Sequence, residues 1–182
     1  ETLSGVISGD GELHKTGSGT LTLSGDSTYS GGTLVSAGRV NTATSDALGT
    51  GTLSLADGTT LGFVADNLTL ANNIAFTGDQ DPTIDTGAYT STLTGDISGA
   101  ADLTKTGSGT LITTGDNNTY TGATTVAEGT LQAGSTGTFS SASAYTVDSG
   151  ATLDLNSYSQ TVSALNNSGL VSLSNSGSAG TT

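Results

Sequence analysis

The 182-residue sequence contains no cysteine, methionine or tryptophan, one proline and only three basic residues. The absence of cysteine excludes disulfides and thiolate chemistry. Sixteen acidic residues against three basic ones give a net charge of −13. Such a chain has no cationic surface that could displace counterions from phosphate, so we expect no nucleic-acid partner. No apolar run reaches the roughly 18 residues of a membrane-spanning helix.

Threonine, serine and glycine account for nearly half of the chain, with 36, 25 and 28 residues. Leucine, isoleucine, valine and phenylalanine contribute only 36, a fraction close to that of disordered chains. The single proline and a charged fraction of 10% argue against disorder. An acidic, cysteine-free chain of this composition is typical of a bacterial surface protein. Because no basic and apolar leader begins the chain, we expect any signal peptide to have been removed.

The sequence repeats itself. Residues 5–40 align with residues 95–131 at 20 identical positions of 36, with one inserted residue at Asn117 or Asn118. This similarity is far above chance and defines a tandem repeat of about 90 residues. We therefore predict a single domain over residues 1–182, built from repeat copy one, 5–94, and repeat copy two, 95–182.

A shorter period lies within each copy. Short runs such as Leu53-Ser54-Leu55 alternate apolar and polar residues, which predicts short strands with one buried face. No stretch has the apolar spacing of a helix. A series of apolar residues recurs with separations of 19, 21, 23, 27, 20, 22 and 20: Leu21, Val40, Leu61, Ile84, Leu111, Leu131, Leu153 and Leu173.

Short strands with this period predict an all-β fold, a parallel β-helix (β-solenoid) of about eight turns of roughly 20–23 residues. The narrow interior of such a coil needs few apolar residues, while threonine on the outer surface favours the strand conformation and remains hydrated. A β-sandwich would also contain short alternating strands, but it does not predict the coil period.

Two stretches share a long motif, which in copy one reads Leu13-x-Lys15-Thr-Gly17-Ser-Gly19-Thr-Leu21-x-Leu23-Ser-Gly25 and then Tyr29-x-Gly31-x-Thr33-x-Val35-x-x-Gly38. Copy two, from Leu103 to Leu131, matches equally well. The motif resembles the passenger-associated transport repeat of autotransporters, the type V secreted proteins of Gram-negative bacteria. Copy one departs from the pattern at Ser27, where asparagine is preferred. Copy two has Thr113 at an inward apolar position and Ala123 in place of a glycine.

The resemblance implies a right-handed β-helix, export through the outer membrane and an extracellular location at the bacterial surface. In that family the repeat is linked to secretion and folding of the passenger, and many passengers are adhesins or self-associate. Membrane contact in the family is made by a C-terminal barrel, which we expect to lie outside this chain.

The repeated motif residues are expected to be structural. Lysine is scarce, so Lys15 and Lys105 could contact a ligand, but an ion pair with an acidic residue on a neighbouring turn is the favoured interpretation. Tyr29 and Tyr120 could stack against sugars, but packing over the edge of a turn is favoured. Positive φ or close backbone contact between turns is expected at the motif glycines, which are Gly17, Gly19 and Gly25 and their counterparts Gly107, Gly109 and Gly115.

The densest acidic group is formed by Asp79, Asp81 and Asp85. On one face of an extended segment these carboxylates could bind Ca²⁺ or act as a general acid and base. A hydrated loop, in which Pro82 interrupts the ladder, is the favoured alternative. We expect no other cofactor.

Two further sequence patterns bear on function. His14 is the only histidine and aligns with Thr104, so it is expected to be an exposed residue without a catalytic role. Thr-x-Thr pairs, such as Thr20/Thr22, suggest an ice-binding surface. Their spacing along the chain does not predict a common register, so composition alone is taken to explain them.

These observations predict a non-enzymatic bacterial surface segment that serves as a stalk, an adhesin or a self-association module able to form filaments. Its partners would be copies of itself, or glycans and proteins of a host or cell surface. The alternative is a polysaccharide-degrading β-helix enzyme that uses the Asp79, Asp81 and Asp85 group.

Overall fold

The structure, a computed structural model, describes residues 1–173. This part of the chain contains twenty short strands and no helix, and every strand pairing is parallel. The strands, numbered in chain order, stack into three sheets that wrap a common core. The prediction of an all-β parallel solenoid is therefore confirmed.

The largest sheet, which we call face A, contains β1 (Thr2–Leu3), β3 (Thr20–Leu23), β5 (Arg39–Thr42), β7 (Thr60–Phe63), β10 (Thr83–Asp85), β13 (Leu103–Thr106), β15 (Thr124–Val126), β17 (Ala144–Val147) and β19 (Ala164–Asn167). Face B contains β2 (Leu13–Lys15), β4 (Thr33–Val35), β6 (Leu53–Leu55), β9 (Ile74–Phe76) and β12 (Ile97–Gly99). Face C contains β8 (Leu68–Leu70), β11 (Thr90–Leu93), β14 (Thr110–Thr113), β16 (Thr130–Ala133), β18 (Thr152–Asp154) and β20 (Leu170–Ser172). The nine rungs of face A enclose eight turns.

The apolar series found in the sequence forms two stacked columns rather than one. Leu21, Val40, Leu61 and Ile84 are successive partners on face A. Leu111, Leu131 and Leu153 are successive partners on face C, and the next partner is Val171, not the predicted Leu173. The separation of 27 residues between Ile84 and Leu111 therefore corresponds to one full turn plus the step from face A to face C.

The two repeat copies occupy different faces for the same reason. In copy one the first motif strand, β2, lies on face B and the second, β3, lies on face A. Their counterparts in copy two, β13 and β14, lie on faces A and C. The motif of copy two therefore begins four full turns, plus the step from one face to the next, after the motif of copy one. As a result, the two copies present the same motif in two different directions around the solenoid axis.

Corners between faces leave main-chain N–H groups outside the ladders, and acidic residues satisfy several of them. Each of four aspartates accepts a hydrogen bond from the main chain about one turn later in the sequence. These pairs are Asp57 with Gln80 (2.9 Å), Asp66 with Thr90 (2.9 Å), Asp96 with Asn117 (3.2 Å) and Asp102 with Ala123 (2.6 Å). The acidic composition therefore has a structural cause at the corners.

Candidate functional site

Lys105 lies in the core column of face A, between Ile84 on the preceding rung and Val126 on the following one. Its side chain is fully buried, with 0% of its surface exposed. A lysine at such a position requires oxygen partners for its ammonium group, because a buried charge without them is strongly unfavourable.

Main-chain oxygens and one hydroxyl supply those partners at the corner that follows β13. Lys105 Nζ donates to the carbonyl oxygens of Thr106 (2.8 Å), Gly107 (2.8 Å) and Glu128 (3.1 Å), and to Thr86 Oγ1 (3.0 Å). Thr86 belongs to the previous turn and Glu128 to the next. One ammonium group therefore joins three successive turns, an arrangement we call the lysine corner.

Lys15 forms the equivalent corner in copy one, at the end of β2, and is 7% exposed. Its Nζ donates to three carbonyl oxygens, those of Thr16 (3.0 Å), Gly17 (2.6 Å) and Ala37 (3.0 Å). These align in sequence with Thr106, Gly107 and Glu128. The lysine corner is thus a repeated structural element, which follows a strand of face B in copy one and a strand of face A in copy two.

The expected ion pair between each lysine and a neighbouring carboxylate is not formed, and this prediction is corrected. Apart from Thr86 Oγ1, the acceptors are main-chain carbonyls, which no sequence pattern identifies. Burial lowers the pKa of Lys105 to about 8, against the opposing attraction of the Asp85 and Glu128 charges.

The motif glycines allow the turns to approach each other at these corners. Gly17 and Gly107 have φ values of +73° and +79°. A Cβ on Gly25, Gly109 or Gly115 would collide with the main chain or a side chain of the preceding turn, whereas Gly19 shows neither a positive φ nor a close neighbour.

Tyr29 and Tyr120 lie in the core, 1% and 3% exposed, so neither offers a ring for sugar stacking. Each hydroxyl shares a hydrogen bond with a threonine four residues later, Thr33 (2.5 Å) and Thr124 (2.8 Å). Burial raises the pKa of both tyrosines, although these hydrogen bonds oppose the shift. Packing over a turn edge, as expected from the sequence, is replaced by full enclosure.

The three aspartates of the densest acidic group are placed differently. Asp79 and Asp81 are exposed in the loop before β10, and the half-buried Asp85 lies on β10. Asp85 Oδ2 pairs with Arg39 Nη1 at 2.7 Å, and its Oδ1 accepts the Gly87 N–H at 2.8 Å. Within residues 1–173 no three acidic or histidine side chains form a group that could hold a metal ion.

The pairing of Arg39 with Asp85 spans an intervening rung. Gly62 lies on β7 between them, and a Cβ at this position would collide with the guanidinium group of Arg39. Burial alone would raise the pKa of Asp85, but the Gly87 N–H, Arg39 and Lys105 outweigh it and hold that pKa below its ordinary value. This carboxylate is therefore engaged as a structural anion.

His14 is exposed, as expected, and its Nε2 lies 2.6 Å from Ser36 Oγ. Ser36 lies on the following turn, so this contact joins two turns.

The outer surface of face A carries a regular column of threonines that the sequence spacing did not predict. Five threonines occupy the same outward column on consecutive rungs and form what we call the threonine ladder: Thr60, Thr83, Thr104, Thr125 and Thr146. The common register arises from one threonine per turn, not from the Thr-x-Thr pairs considered above. Adjacent rungs of a parallel sheet are about 4.8 Å apart.

Charge is distributed unevenly around this ladder. The strands of face A present two outward charges, Arg39 and Asp85, which neutralise each other. Other acidic residues flank the face at its two corners, among them Asp46, Asp66 and Asp102. Face A is therefore a hydroxyl-bearing strip without net charge between acidic borders.

Comparison with known proteins agrees with the motif. The profile of the passenger-associated-transport-repeat family matches residues 13–41 and 103–133, the segments that contain both lysine corners. Over 129 residues, 69% of this chain, the sequence is 44% identical to a protein of Brucella suis biovar 1 (strain 1330) described as the adhesin BmaC autotransporter. The chain spans 4% of that relative. No solved structure matches the chain.

The described strands account for the whole architecture of residues 1–173. No helix in this part of the chain is long and apolar enough to cross a bilayer.

Proposed function

This chain is an autotransporter passenger segment that carries two passenger-associated transport repeats, and we propose that it acts as a rigid, non-enzymatic adhesive stalk whose contacts are made through face A. As part of an exported passenger it lies outside the bacterial cell. The threonine ladder is the observation that carries the proposal, because it gives five consecutive rungs the same outward side chain on a surface without net charge.

The size of face A determines what kind of contact it can make. Nine rungs about 4.8 Å apart, each two to four residues wide, present an area on the order of 500 Å². Stable complexes bury about 800 Å² on each partner, so one such face supports only a weak contact. Repetition of the face along a longer solenoid, or among many copies on a cell, would convert weak contacts into avid adhesion.

The acidic borders of face A bear on the choice of partner. If two copies met face to face, their corner aspartates would approach each other and repel, so pairing of copies would require salt or divalent cations to screen these charges. A neutral or basic surface of another cell would meet no such repulsion. We therefore favour a partner on another surface over self-association, which remains the second arm of the test.

A polysaccharide-degrading activity, the alternative function, has less support. Asp85 is engaged by Arg39, and Asp79 and Asp81 are exposed in a loop. Glycoside hydrolysis needs two carboxylates facing a bound sugar at a separation of about 5–10 Å, one of which has a raised pKa. Asp85 shows the opposite pKa shift. Release of reducing ends from acidic or neutral polysaccharides would establish the enzyme.

Beads coated with the purified segment test the proposal. We expect them to bind host cells at physiological salt without clumping among themselves. Bead clumping that grows with salt or Ca²⁺, without cell binding, would replace the adhesive stalk with a self-association module. Beads inert in both assays would contradict the proposal.

A further inference from the structure

The core of copy two contains two buried threonines at positions where copy one has apolar residues. Thr113 and Thr138 are buried in copy two, 6% and 1% exposed. Thr113 aligns with Leu23, and Thr138 corresponds to Ala47 when the alignment is continued without a gap beyond Val40 and Leu131. Both residues of copy one are apolar and buried. Two hydrophobic side chains of one repeat are therefore both replaced by threonine in the other.

Neither threonine hydroxyl has a hydrogen-bond partner among residues 1–173. Thr113 points inward from the column Leu93, Thr113, Ala133 on face C, and Thr138 lies at the corner before Phe139. Unpaired hydroxyls are uncommon in protein cores, because burial removes them from water without compensation.

Both hydroxyls belong to residues that line the same enclosed cavity. Four of its other walls, Ile97, Leu103, Leu131 and Phe139, are apolar. The remaining three residues, Asn118, Tyr120 and Tyr145, carry polar groups that are already hydrogen-bonded within the protein. The space open to the centre of a water molecule is about 10 Å³. This volume holds one water molecule and nothing larger.

We propose that this cavity is a binding site for a single structural water molecule, bridged between Thr113 Oγ1 and Thr138 Oγ1. Each hydroxyl can donate and accept, so the two side chains provide the minimum of two polar partners that a buried water requires. An apolar occupant is excluded by size and would leave both hydroxyls unpaired. A water shared by the two hydroxyls gives the presence of both threonines one cause, since it satisfies both of them at once.

Crystal structures of the purified segment at about 1.2 Å resolution provide the first test. We expect a single density peak within hydrogen-bond distance of both hydroxyl oxygens. The double variant Thr113→Leu/Thr138→Ala, which restores the residues of copy one, should fold and lack this peak. A wild-type structure in which the two hydroxyls bond to protein atoms and no density lies between them would overturn the proposal.

A double-mutant cycle supplies a readout in solution. Thr113→Val and Thr138→Ala each remove one of the two water ligands, so the second substitution should shift the melting temperature less unfavourably than the same substitution in the wild type. Thr125→Val, on the exposed threonine ladder, combined with Thr138→Ala is the matched control and should show additive shifts. Additive shifts for the buried pair would contradict a shared water.

Discussion

The ammonium group of Lys105 and the carbonyl oxygen of Glu128 are joined by a hydrogen bond of 3.1 Å, although the residues lie on different turns of the solenoid. The same ammonium reaches the preceding turn through Thr86 Oγ1. This lysine therefore connects three successive turns at a single point. Lys15 repeats the link to the following turn through Ala37, so this part of the connection is common to both copies, whereas the link to the preceding turn is made by Lys105.

Replacement of Lys105 by methionine keeps the aliphatic stem but removes the donor. We expect the free energy of unfolding to fall by about 2–4 kcal/mol, since several buried oxygens lose their partner. Chemical denaturation with a constant m-value measures this loss. His14→Ala is the control and should change stability by less than about 0.5 kcal/mol, as expected of an exposed side chain. A neutral or stabilising Lys105→Met would show that the lysine corner is dispensable.

The lowered pKa of Lys105 predicts a specific pH dependence. The folded chain releases the proton near pH 8, whereas the unfolded chain retains it until about pH 10.5. Between these values the unfolded state binds more protons, so stability rises with pH by at most about 1.4 kcal/mol per unit.

The measurement is the difference between wild type and Lys105→Met at pH 8, 9 and 10. Both chains share the buried tyrosines, whose pKa values burial raises, so their effect cancels. A difference that stays constant with pH would mean that the carbonyl oxygens hold the proton on Lys105 throughout this range.

Gly129 packs against the lysine corner of copy two. Its φ is +64°, and a Cβ would collide with the carbonyl oxygens of Gly107 and Gly109. Gly137 has a similar φ of +72° but open space around its Cβ position. We therefore expect Gly137→Ala to cost about 1 kcal/mol from backbone strain alone and Gly129→Ala to cost more than about 3 kcal/mol. Equal losses in thermal or chemical unfolding would contradict close packing at this corner.

The ion pair of Arg39 and Asp85 is partly exposed, with side-chain exposures of 29% and 24%. A pair of this kind contributes little, so Arg39→Ala should reduce stability by at most about 1 kcal/mol and the loss should shrink in 1 M salt. The same variant leaves Asp85 without its cation. Because Asp79, Asp81 and Asp85 do not come together as a group that could hold a metal ion within residues 1–173, we expect Ca²⁺ to leave the melting temperature of wild type and Arg39→Ala unchanged. A Ca²⁺-dependent rise that Asp81→Asn/Asp85→Asn abolishes would contradict this placement.

The fold could be predicted from the sequence because one inward apolar residue per turn reveals the coil period. Leu21, Val40 and Leu61 could be paired by spacing alone. The shift of the apolar series from face A to face C could not be predicted in this way. The separation of 27 residues between Ile84 and Leu111 has the appearance of one long turn, and only the strand pairing shows that the two residues lie on different faces.

The lysine corners and the threonine ladder were harder to predict from the sequence, for two physical reasons. Apart from Thr86 Oγ1, the acceptors of Lys15 and Lys105 are main-chain carbonyls, which every residue possesses and no sequence pattern distinguishes. The threonine ladder depends on register between turns of unequal length, so Thr83 and Thr104 become neighbours only in three dimensions. Composition, by contrast, correctly indicated a surface rich in hydroxyl groups.

Adhesion through face A is tested most directly with coated beads that carry one added charge. Arg39 already occupies the outward column of face A, next to Thr20 and Thr60, so Thr125→Arg should be tolerated there. Thr130→Arg places the same residue on the outward threonine column of face C, between Thr110 and Thr152. With both variants folded, we predict that binding of beads to host cells falls at least several-fold for Thr125→Arg and is retained for Thr130→Arg. Equal binding by the two variants, or loss only with Thr130→Arg, would contradict face A as the contact surface.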